Sequence, residues 1–320
     1  MNILILGENG ISRKNWGHQL FLNSFSKHHK VTYWGLYHPN FTWDLSIPQV
    51  INKYGKPDII LTYMAKRCYP FRSLADITNI PKVHIEVDFF KREAGGYRGQ
   101  YDNAGWNRYK DFFASNKFDI MFARETSGHD GLKEAKVAEE VFYLPFSVDI
   151  DIYKNLNDKR LIDVMAVFSG NPDAYPRRIP IQKLLTKVAK KHGQFKVTTR
   201  KMYHNSYVEQ LNRSKIFVTS NNRWGSLSMK YYEVMACETF LLADLPTDLG
   251  RVGLQDRTHL VIYNSLTDLL DKINYYLKHP EERETIAKRG MKFVIENHSN
   301  DIRVKQFTEI VSKEIFGGKL

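Results

Sequence analysis

SMKYYEVMACETFLLAD, residues 228–244, is the stretch of sequence that decides the fold. It predicts a helix from about Met229 to Cys237, followed by a short apolar strand, Phe240–Ala243. A loop of small and polar residues, 225–228, leads into the helix. Because the free backbone N–H groups and the dipole of a helix N-terminus attract phosphate, this loop is a predicted diphosphate site.

The same alternation of apolar strands and helices continues on both sides of this stretch, as in parallel sheets with helical crossovers. The predicted strands are Asn2–Leu6, Val31–Trp34, Asp58–Tyr63, Lys82–Val87, Ile120–Ala123, Val141–Leu144, Val164–Phe168, Phe195–Thr198, Ile216–Thr219, Phe240–Ala243 and Leu260–Ile262. A chain of 320 residues suits two such domains. We predict two Rossmann-like, doubly wound α/β domains, residues 1–148 and 149–320, facing each other across a ligand-binding cleft.

Composition and charge narrow the classes of function. The net charge of +12 and the pI near 9.4 favour a polyanionic or membrane-surface partner. No apolar run approaches the roughly 20 residues of a spanning helix, and the N-terminus opens directly into a strand, so we expect a cytoplasmic protein, in a host cytoplasm if it is viral. The loop 7–13 lacks the later glycines of a dinucleotide fingerprint, which disfavours an oxidoreductase.

Residues 228–244 resemble the donor-site signature of group-1 glycosyltransferases, which have the GT-B fold, and especially the spore-maturation-protein-like branch. Two further segments are similar to that family: LPFSVD at 144–149, like its interdomain hinge, and the stretch from Thr267 to Gly290. The resemblance implies a nucleotide-sugar-dependent hexosyl- or pentosyltransferase that binds its donor, first of all a UDP-sugar, in the C-terminal half. It also implies that no cofactor and no metal ion is needed.

The predicted donor site lies around the helix that begins near Met229. Lys230 can add a positive charge beside the phosphate, and the resemblance implies that Glu233 accepts hydrogen bonds from ribose hydroxyls; the alternative for Glu233 is a solvated helix face. An arginine of the pair Arg177 and Arg178 can reach the pyrophosphate from the facing loop, or both belong to a basic helix start on the surface. The predicted donor-binding residues are Gly170, Arg177, Arg178, Arg200, Ser226, Ser228, Lys230 and Glu233.

The chain departs from the family pattern at two positions. Many relatives carry a second acidic residue eight positions before the glutamate, where this chain has Gly225. They also carry a glycine where this chain has Glu238. Both departures bear on how the sugar is contacted.

Basic residues follow several strands of the first half, and the last group alternates with aromatic residues. That mixture is typical of sites for nucleic acid or sugar polymers, which gives the hypothesis of a polyanionic acceptor. The alternative is a solvated basic rim above ordinary core aromatics. The predicted acceptor-binding residues are Arg13, Lys14, Lys66, Arg67, Lys91, Arg92, Arg98 and Trp106.

For catalysis, Asp88 at the end of a strand is the first choice to deprotonate or orient an acceptor hydroxyl, with His84 or Glu86 second. A carboxylate that merely caps the next turn is the alternative. In a retaining enzyme the leaving phosphate can assist instead. Three functions stay open: transfer to hydroxymethylated phage DNA with the base flipped out, transfer to cell-surface or lipid-linked saccharides, and non-catalytic binding of nucleic acid or glycan.

Overall fold

The computed structural model describes residues 1–10, 16–64, 68, 71–87, 111–136, 138–167, 171–172, 174–192, 196–199 and 202–319. The chain divides into two compact units. The first unit consists of Met1–Pro145 and Arg303–Leu320, and the second unit of Phe146–Ile302. In the described part of the chain, no helix combines the length and the apolar character that a membrane crossing requires.

The first unit is built on a six-stranded parallel sheet. Its strands are β1 (Asn2–Leu6), β2 (Lys30–Trp34), β3 (Ile59–Tyr63), β4 (Lys82–Glu86), β5 (Phe118–Ala123) and β6 (Ala138–Tyr143), in the spatial order β2-β1-β3-β4-β5-β6. The central strands β3 and β4 are buried along their whole length, as expected for a parallel sheet covered on both faces.

Short helices connect these strands. They are α1 (Trp16–Ser24), α2 (Ile47–Tyr54) and α3 (Thr126–Ala135), with 3-10 turns at Phe25–Lys27 and Arg72–Leu74, and residues 111–116 are also helical. A capping box of Ser46 and Gln49 begins α2, and Gly55, with φ of +96°, ends it.

The second unit contains a five-stranded parallel sheet. Its strands are β7 (Ile162–Met165), β8 (Val197–Thr198), β9 (Ser214–Thr219), β10 (Phe240–Ala243) and β11 (Val261–Ile262), in the order β11-β10-β9-β7-β8. Its helices are α4 (Arg178–His192), α5 (His204–Asn212), α6 (Met229–Ala236), α7 (Leu266–Lys278) and α8 (Pro280–His298). The sheet and these helices enclose an apolar core that includes Ile181, Ile216, Leu242 and Ile286.

The last helix, α9 (Asn300–Phe316), lies mostly in the first unit, whereas the sequence places residues 303–320 in the second predicted domain. Side-chain packing explains the difference. Phe307 is completely buried, with its ring centroid 5.0 Å from those of both Phe25 and Phe122. His29 and Thr308 also form a side-chain hydrogen bond at 2.8 Å. The first unit therefore completes its core with the C-terminal end of the chain.

Candidate functional site

A ligand site in the second unit follows from its strand order. The chain leaves β7 toward β8 on one side and returns to β9 on the other, so the loops after β7 and β9 flank a crevice at the carboxyl edge of the sheet. Residues 220–228 form the loop after β9 and lead into α6, while α4 follows the loop after β7. We name this region the switch-point site and define it by Arg177, Ser220, Ser228, Lys230 and Glu233.

A tight turn shapes the loop before α6. The Asn222 side-chain oxygen accepts hydrogen bonds from the backbone N–H groups of Trp224, at 3.0 Å, and of Ser226, at 2.9 Å. Gly225 has φ of +78°, and a Cβ atom there would lie 2.8 Å from Cγ2 of Thr247. This backbone conformation favours glycine and disfavours the acidic residue of many relatives. Ser226 is completely buried in the turn.

Hydroxyl groups that have no partner among the described residues lie at both ends of this loop, where it leaves β9 and where it enters α6. Ser228 is the N-cap residue, with extended backbone and no side-chain capping bond. Its Oγ is buried and has no hydrogen-bond partner among the described residues, and the same holds for Thr219 Oγ1 and Ser220 Oγ. Thr219 and Ser220 are completely buried. Buried polar groups of this kind are rare in proteins and are commonly satisfied by a ligand or an ordered water.

The two arginines at the start of α4 differ in exposure. Arg178 is buried, its guanidinium lies 3.4 Å from the centroid of the Tyr175 ring, and it donates to the backbone oxygen of Ser220 at 3.2 Å. The Arg177 side chain is 65% exposed and donates to the buried carboxylate of Asp244 at 2.9 Å. Arg178 therefore stabilises the loop after β9, while Arg177 is accessible to an anion from solvent.

Lys230 and Glu233 lie in a buried polar cluster on the first turns of α6. The Glu233 side chain is buried and accepts hydrogen bonds from the hydroxyls of Tyr153 and Tyr207. The half-buried Lys230 donates to the Tyr207 hydroxyl at 3.3 Å, and its Nζ lies 4.4 Å from the centroid of that ring. This burial contradicts the alternative that Glu233 lies on a solvated helix face.

Burial controls the protonation of this cluster. It raises the pKa of the Glu233 carboxyl, against the opposing effects of Lys230 and the two tyrosines, and it lowers the pKa of the Lys230 ammonium. The pKa values of Tyr153 and Tyr207 are well above 10, first through burial and then through the Glu233 charge. Both tyrosines therefore stay protonated and donate, and a carboxylate with about four acceptor positions retains room for further donors.

The C-terminal end of α6 is closed by Arg160. Its Nη2 donates to the backbone oxygens of Cys237, at 3.1 Å, and of Glu238, at 2.8 Å. Its Nη1 donates to the backbone oxygens of Ser214, at 2.7 Å, and of Leu211, at 3.3 Å. One guanidinium thus satisfies carbonyl groups at the ends of two helices and at the start of β9.

Glu238 occupies the left-handed position after α6, with φ of +54°. Glycine is the residue that such a position favours, which accounts for the glycine in relatives. Here the Asn155 side-chain amide donates to the Glu238 carboxylate at 2.8 Å, so the glutamate joins the residues that close this end of the helix.

In the first unit, the structure places His84 inside the sheet. It is completely buried, with Nδ1 at 2.6 Å from Thr62 Oγ1 and Nε2 at 2.9 Å from a Glu86 carboxylate oxygen. Glu86 also accepts from the backbone N–H of Val87 at 2.9 Å. Because both ring nitrogens are bonded and the side chain is closed off from solvent, this geometry favours a structural role for His84 over contact with a substrate.

Many predicted site residues lie outside the described residues. They are Asp88 for catalysis, Gly170 and Arg200 for the donor, and Arg13, Lys14, Lys66, Arg67, Lys91, Arg92, Arg98 and Trp106 for the acceptor. Where side chains are described, no group of three or more His, Cys, Asp or Glu residues is arranged to hold a metal ion. Metal independence stays a prediction.

Sequence reasoning missed Tyr153, Tyr207 and Arg160. Tyr153 precedes Glu233 by 80 positions, and Arg160 lies in a polar stretch that reads as a linker. The only sequence signal for such partners was the pair of Lys230 and Glu233, three positions apart on a helix. If that pair is buried, its carboxylate requires hydrogen-bond donors from elsewhere in the chain.

Comparisons with known proteins agree with this fold. Residues 177–309 match the family described as glycosyl transferase-like. The spore protein CgeB of Bacillus subtilis is 20% identical over 185 residues, which are 48% of this chain and 56% of CgeB. The matched family segment contains the loop after β9 and all of α6, which confirms the resemblance to group-1 glycosyltransferases and to their spore-protein branch.

Solved glycosyltransferase structures share the fold over nearly the whole chain. Sucrose-phosphate synthase from Thermosynechococcus elongatus matches with a TM-score of 0.69 at 12% identity, covering 100% of both chains. Anabaena HepE in complex with UDP-glucose matches with a TM-score of 0.70 at 12% identity, covering 98% of this chain and 100% of that one. The predicted α/β fold of two Rossmann-like sheets, the GT-B fold, is confirmed.

Proposed function

We propose that this protein transfers a sugar from a UDP-sugar to a hydroxyl group of a polyanionic acceptor. The observation that carries the proposal is the loop 220–228, which follows β9 at the switch point of the sheet and leads into α6. The buried hydroxyls of Ser220 at its start and of Ser228 at its end have no partner among the described residues. Hydroxyls and free backbone N–H groups in this position are the donors that a diphosphate requires.

Cationic side chains complete the proposed diphosphate site. Arg177 is exposed at the start of α4, and Lys230 lies on the first turn of α6. A diphosphate would draw the Lys230 ammonium away from the Tyr207 ring and compensate its charge, which burial otherwise disfavours. In this proposal the two cations and the helix N-terminus stabilise the charge that develops on the leaving UDP, and no metal ion is needed.

Glu233 is the proposed partner of the ribose hydroxyls. The two tyrosine hydroxyls orient its carboxylate, which keeps acceptor positions for a ribose. The structure of HepE in complex with UDP-glucose supports the choice of a uridine nucleotide, because HepE shares the fold of this chain.

The acceptor half of the proposal depends on charge. The chain carries a net charge of +12, and Asp88 stays the proposed group that deprotonates or orients the acceptor hydroxyl. DNA with hydroxymethylated bases combines a polyanionic backbone with a free hydroxyl, so it is the first acceptor to test. Anionic cell-surface polymers and lipid-linked saccharides are the next.

Calorimetric titration separates the donor proposal from the acceptor proposal. We expect UDP to bind the purified protein, uridine to bind far more weakly, and the Lys230→Met variant to lose most of the difference. Lys215→Met is a matched control, because Lys215 pairs with Asp163 near the opposite edge of the sheet. Equal affinity for UDP and uridine would contradict the diphosphate site.

Transfer itself is tested with labelled UDP-sugars and hydroxymethylated DNA, unmodified DNA and an anionic glycan. Label that appears in hydroxymethylated DNA alone would support the DNA acceptor, and label in the glycan alone would contradict it.

A binding module without transferase activity is the second candidate function. The Gly225 turn favours it, because the acidic residue that many relatives carry is missing from a loop that packs against Thr247. Saturable binding of an acceptor, without hydrolysis or transfer of any UDP-sugar that binds, would support this candidate.

A further inference from the structure

A basic groove runs along the outer face of α4 in the second unit. Its volume is about 670 Å³, and its described lining residues are Gln182, Lys183, Thr186, Lys187, Lys190 and Thr199. The lysine and threonine side chains offer hydrogen-bond donors, whereas the Gln182 amide donates to the backbone oxygen of Ala166 at 3.0 Å; none of these side chains carries a negative charge. Thr199 follows β8, the edge strand of the sheet, so the groove lies between this edge and the helix.

The three lysines follow one line along the helix. Lys183, Lys187 and Lys190 are spaced by four and three residues, which places them on one face and spans roughly 10 Å at 1.5 Å per residue. All three are exposed. No ion pair with a described residue neutralises them, and like charges at this spacing repel one another. The groove is therefore a line of uncompensated positive charge.

On other surface helices of the chain, acidic side chains lie near several of the lysines. On α7, Lys272 pairs with Asp268; on α8, Lys292 lies near Glu296; and on α9, Lys305 lies near Glu309. The whole of α4, in contrast, contains no Asp or Glu. The face of α4 therefore lacks the acidic neighbours that accompany these lysines on α7, α8 and α9.

The groove is separate from the switch-point site. Arg178 is the first residue of α4, and Lys183 to Lys190 follow it by five to twelve positions, or roughly 8 to 18 Å along the helix axis. None of the residues that line the groove belongs to the loop after β9 or to α6. An anion bound to these three lysines therefore leaves the loop after β9 and the N-terminus of α6 free, while Thr199 directly precedes Arg200, a predicted donor-binding residue.

We propose that this groove binds the phosphate backbone of DNA and so holds the acceptor on the unit that binds the donor. A series of evenly spaced phosphates matches a series of lysines, and the threonine hydroxyls can donate to phosphate oxygens between them. The groove has no described aromatic side chain on which a base could stack, so it reads the backbone and not the sequence.

Two other anionic partners fit the groove less well. A membrane-binding helix needs exposed apolar side chains beside its lysines, and the described lining has none. A single nucleotide would engage only part of a 10 Å line of charge. The proposal rests on the polyanionic acceptor of the proposed function, but not on catalysis or on the identity of the sugar.

The test measures the affinity of the intact protein for a fluorescent 20-base-pair duplex over a range of salt concentrations, without any nucleotide sugar. The test variant carries Lys183→Gln, Lys187→Gln and Lys190→Gln. The control variant carries Lys278→Gln, Lys288→Gln and Lys292→Gln, which remove the same charge from exposed positions on α7 and α8.

We expect the test variant to bind the duplex at least tenfold more weakly than the control variant. We also expect the slope of log affinity against log salt to decrease in magnitude by up to about 2.7, since each phosphate contact contributes about 0.9. The melting temperature of the test variant should be unchanged or higher, because repulsion between neighbouring lysines is removed. A folded protein with a specific loss of DNA binding would support the proposal.

Three results would overturn the proposal: equal DNA affinity of the test and control variants, no DNA binding by the natural sequence, or binding of phosphatidylglycerol vesicles that the test variant alone loses. UDP titrations on the same preparations keep the two proposals distinguishable. UDP binding without DNA binding would contradict the proposal for the groove and leave the proposed donor site unaffected. Loss of both would point to an error in the proposed function itself.

Discussion

The two ends of α6 differ in whether the protein itself satisfies their hydrogen-bonding groups. At the N-terminal end, the buried hydroxyl of the N-cap residue Ser228 has no partner among the described residues, and burial lowers the pKa of Lys230 on the first turn. At the C-terminal end, Arg160 donates to the carbonyls of Cys237 and Glu238. One helix thus has an end with unused donors and an end whose acceptors are satisfied from within the chain.

We infer from this difference that the N-terminal end of the eight-residue helix α6 serves binding and that its C-terminal end serves stability. A buried polar group without a partner lowers the free energy of unfolding by roughly 1–3 kcal/mol. Such groups are therefore expected where a bound ligand supplies the missing hydrogen bond. At the C-terminal end, side chains of the protein itself satisfy the helix carbonyls, so no ligand is required there. Changes at the closed end should lower stability and spare binding, and removal of the Lys230 charge at the open end should weaken binding and spare stability.

The largest effect is expected at the closed end. Arg160→Met would leave several buried carbonyls without donors and lower the free energy of unfolding by about 3 kcal/mol. The affinity for UDP, measured under native conditions, should stay within about twofold. Urea denaturation measures the change, with Arg213→Met as the exposed control that follows α5. A loss below about 0.5 kcal/mol would show that Arg160 does not close the helix.

The next effect is expected at the open end. Lys230→Met should weaken UDP binding by roughly 10- to 100-fold, the range for a charge-assisted hydrogen bond, while the melting temperature stays the same or rises. Because the pKa of Lys230 is lowered from 10.5, UDP binding by the natural sequence should also weaken as the pH rises through that pKa. Calorimetry between pH 7 and pH 10 measures both; a variant that binds UDP normally would contradict the phosphate role of Lys230.

A smaller effect is expected in the turn before α6. Gly225→Ala should lower the free energy of unfolding by roughly 1–2 kcal/mol, because φ is +78° and the new Cβ would press on Thr247. Gly250→Ala is the matched control, with no positive φ and no heavy atom within 4 Å of the added Cβ. Two variants of equal stability would mean that the turn relaxes without strain.

The smallest effect concerns the pH dependence of stability. The folded-state pKa of Glu233 is raised, so its contribution is favourable at low pH and is lost as the pH rises through that pKa. Glu233→Gln resembles the protonated form, and its melting temperature should exceed that of the natural sequence increasingly as the pH rises. UDP binding should weaken in the same variant. A difference in melting temperature that is constant from pH 4 to pH 8 would contradict the burial effect.

Much of the fold could be predicted because its strands are short apolar runs with polar ends. The predicted strands Asn2–Leu6 and Phe240–Ala243 agree with β1 and β10 residue for residue. The helices α2 and α5 were not predicted. The signal for α2 was present in the sequence, because Ile47, Val50, Ile51 and Tyr54 have helical spacing and a capping box precedes them. The nine residues of α5 carry a weaker pattern, and packing against the sheet stabilises so short a helix.

The site was predictable only in part, for a similar reason. Lys230 and Glu233 stand next to each other on a recognisable helix, so their neighbourhood could be inferred from the sequence. Their partners Tyr153 and Tyr207 come from distant segments that only the folded unit brings together. His84 is the middle residue of β4, and the sequence alone does not show that its side chain is buried and bonded to Thr62 and Glu86.

The most direct test of the open end of α6 is a crystal structure of the protein with UDP. We expect a phosphate oxygen within hydrogen-bond distance of Ser228 Oγ and of a backbone N–H in the first turn of α6, with the Lys230 ammonium moved from the Tyr207 ring toward the phosphate. UDP bound elsewhere, with Ser228 Oγ still without a partner and Lys230 still over Tyr207, would contradict the assignment of the donor site.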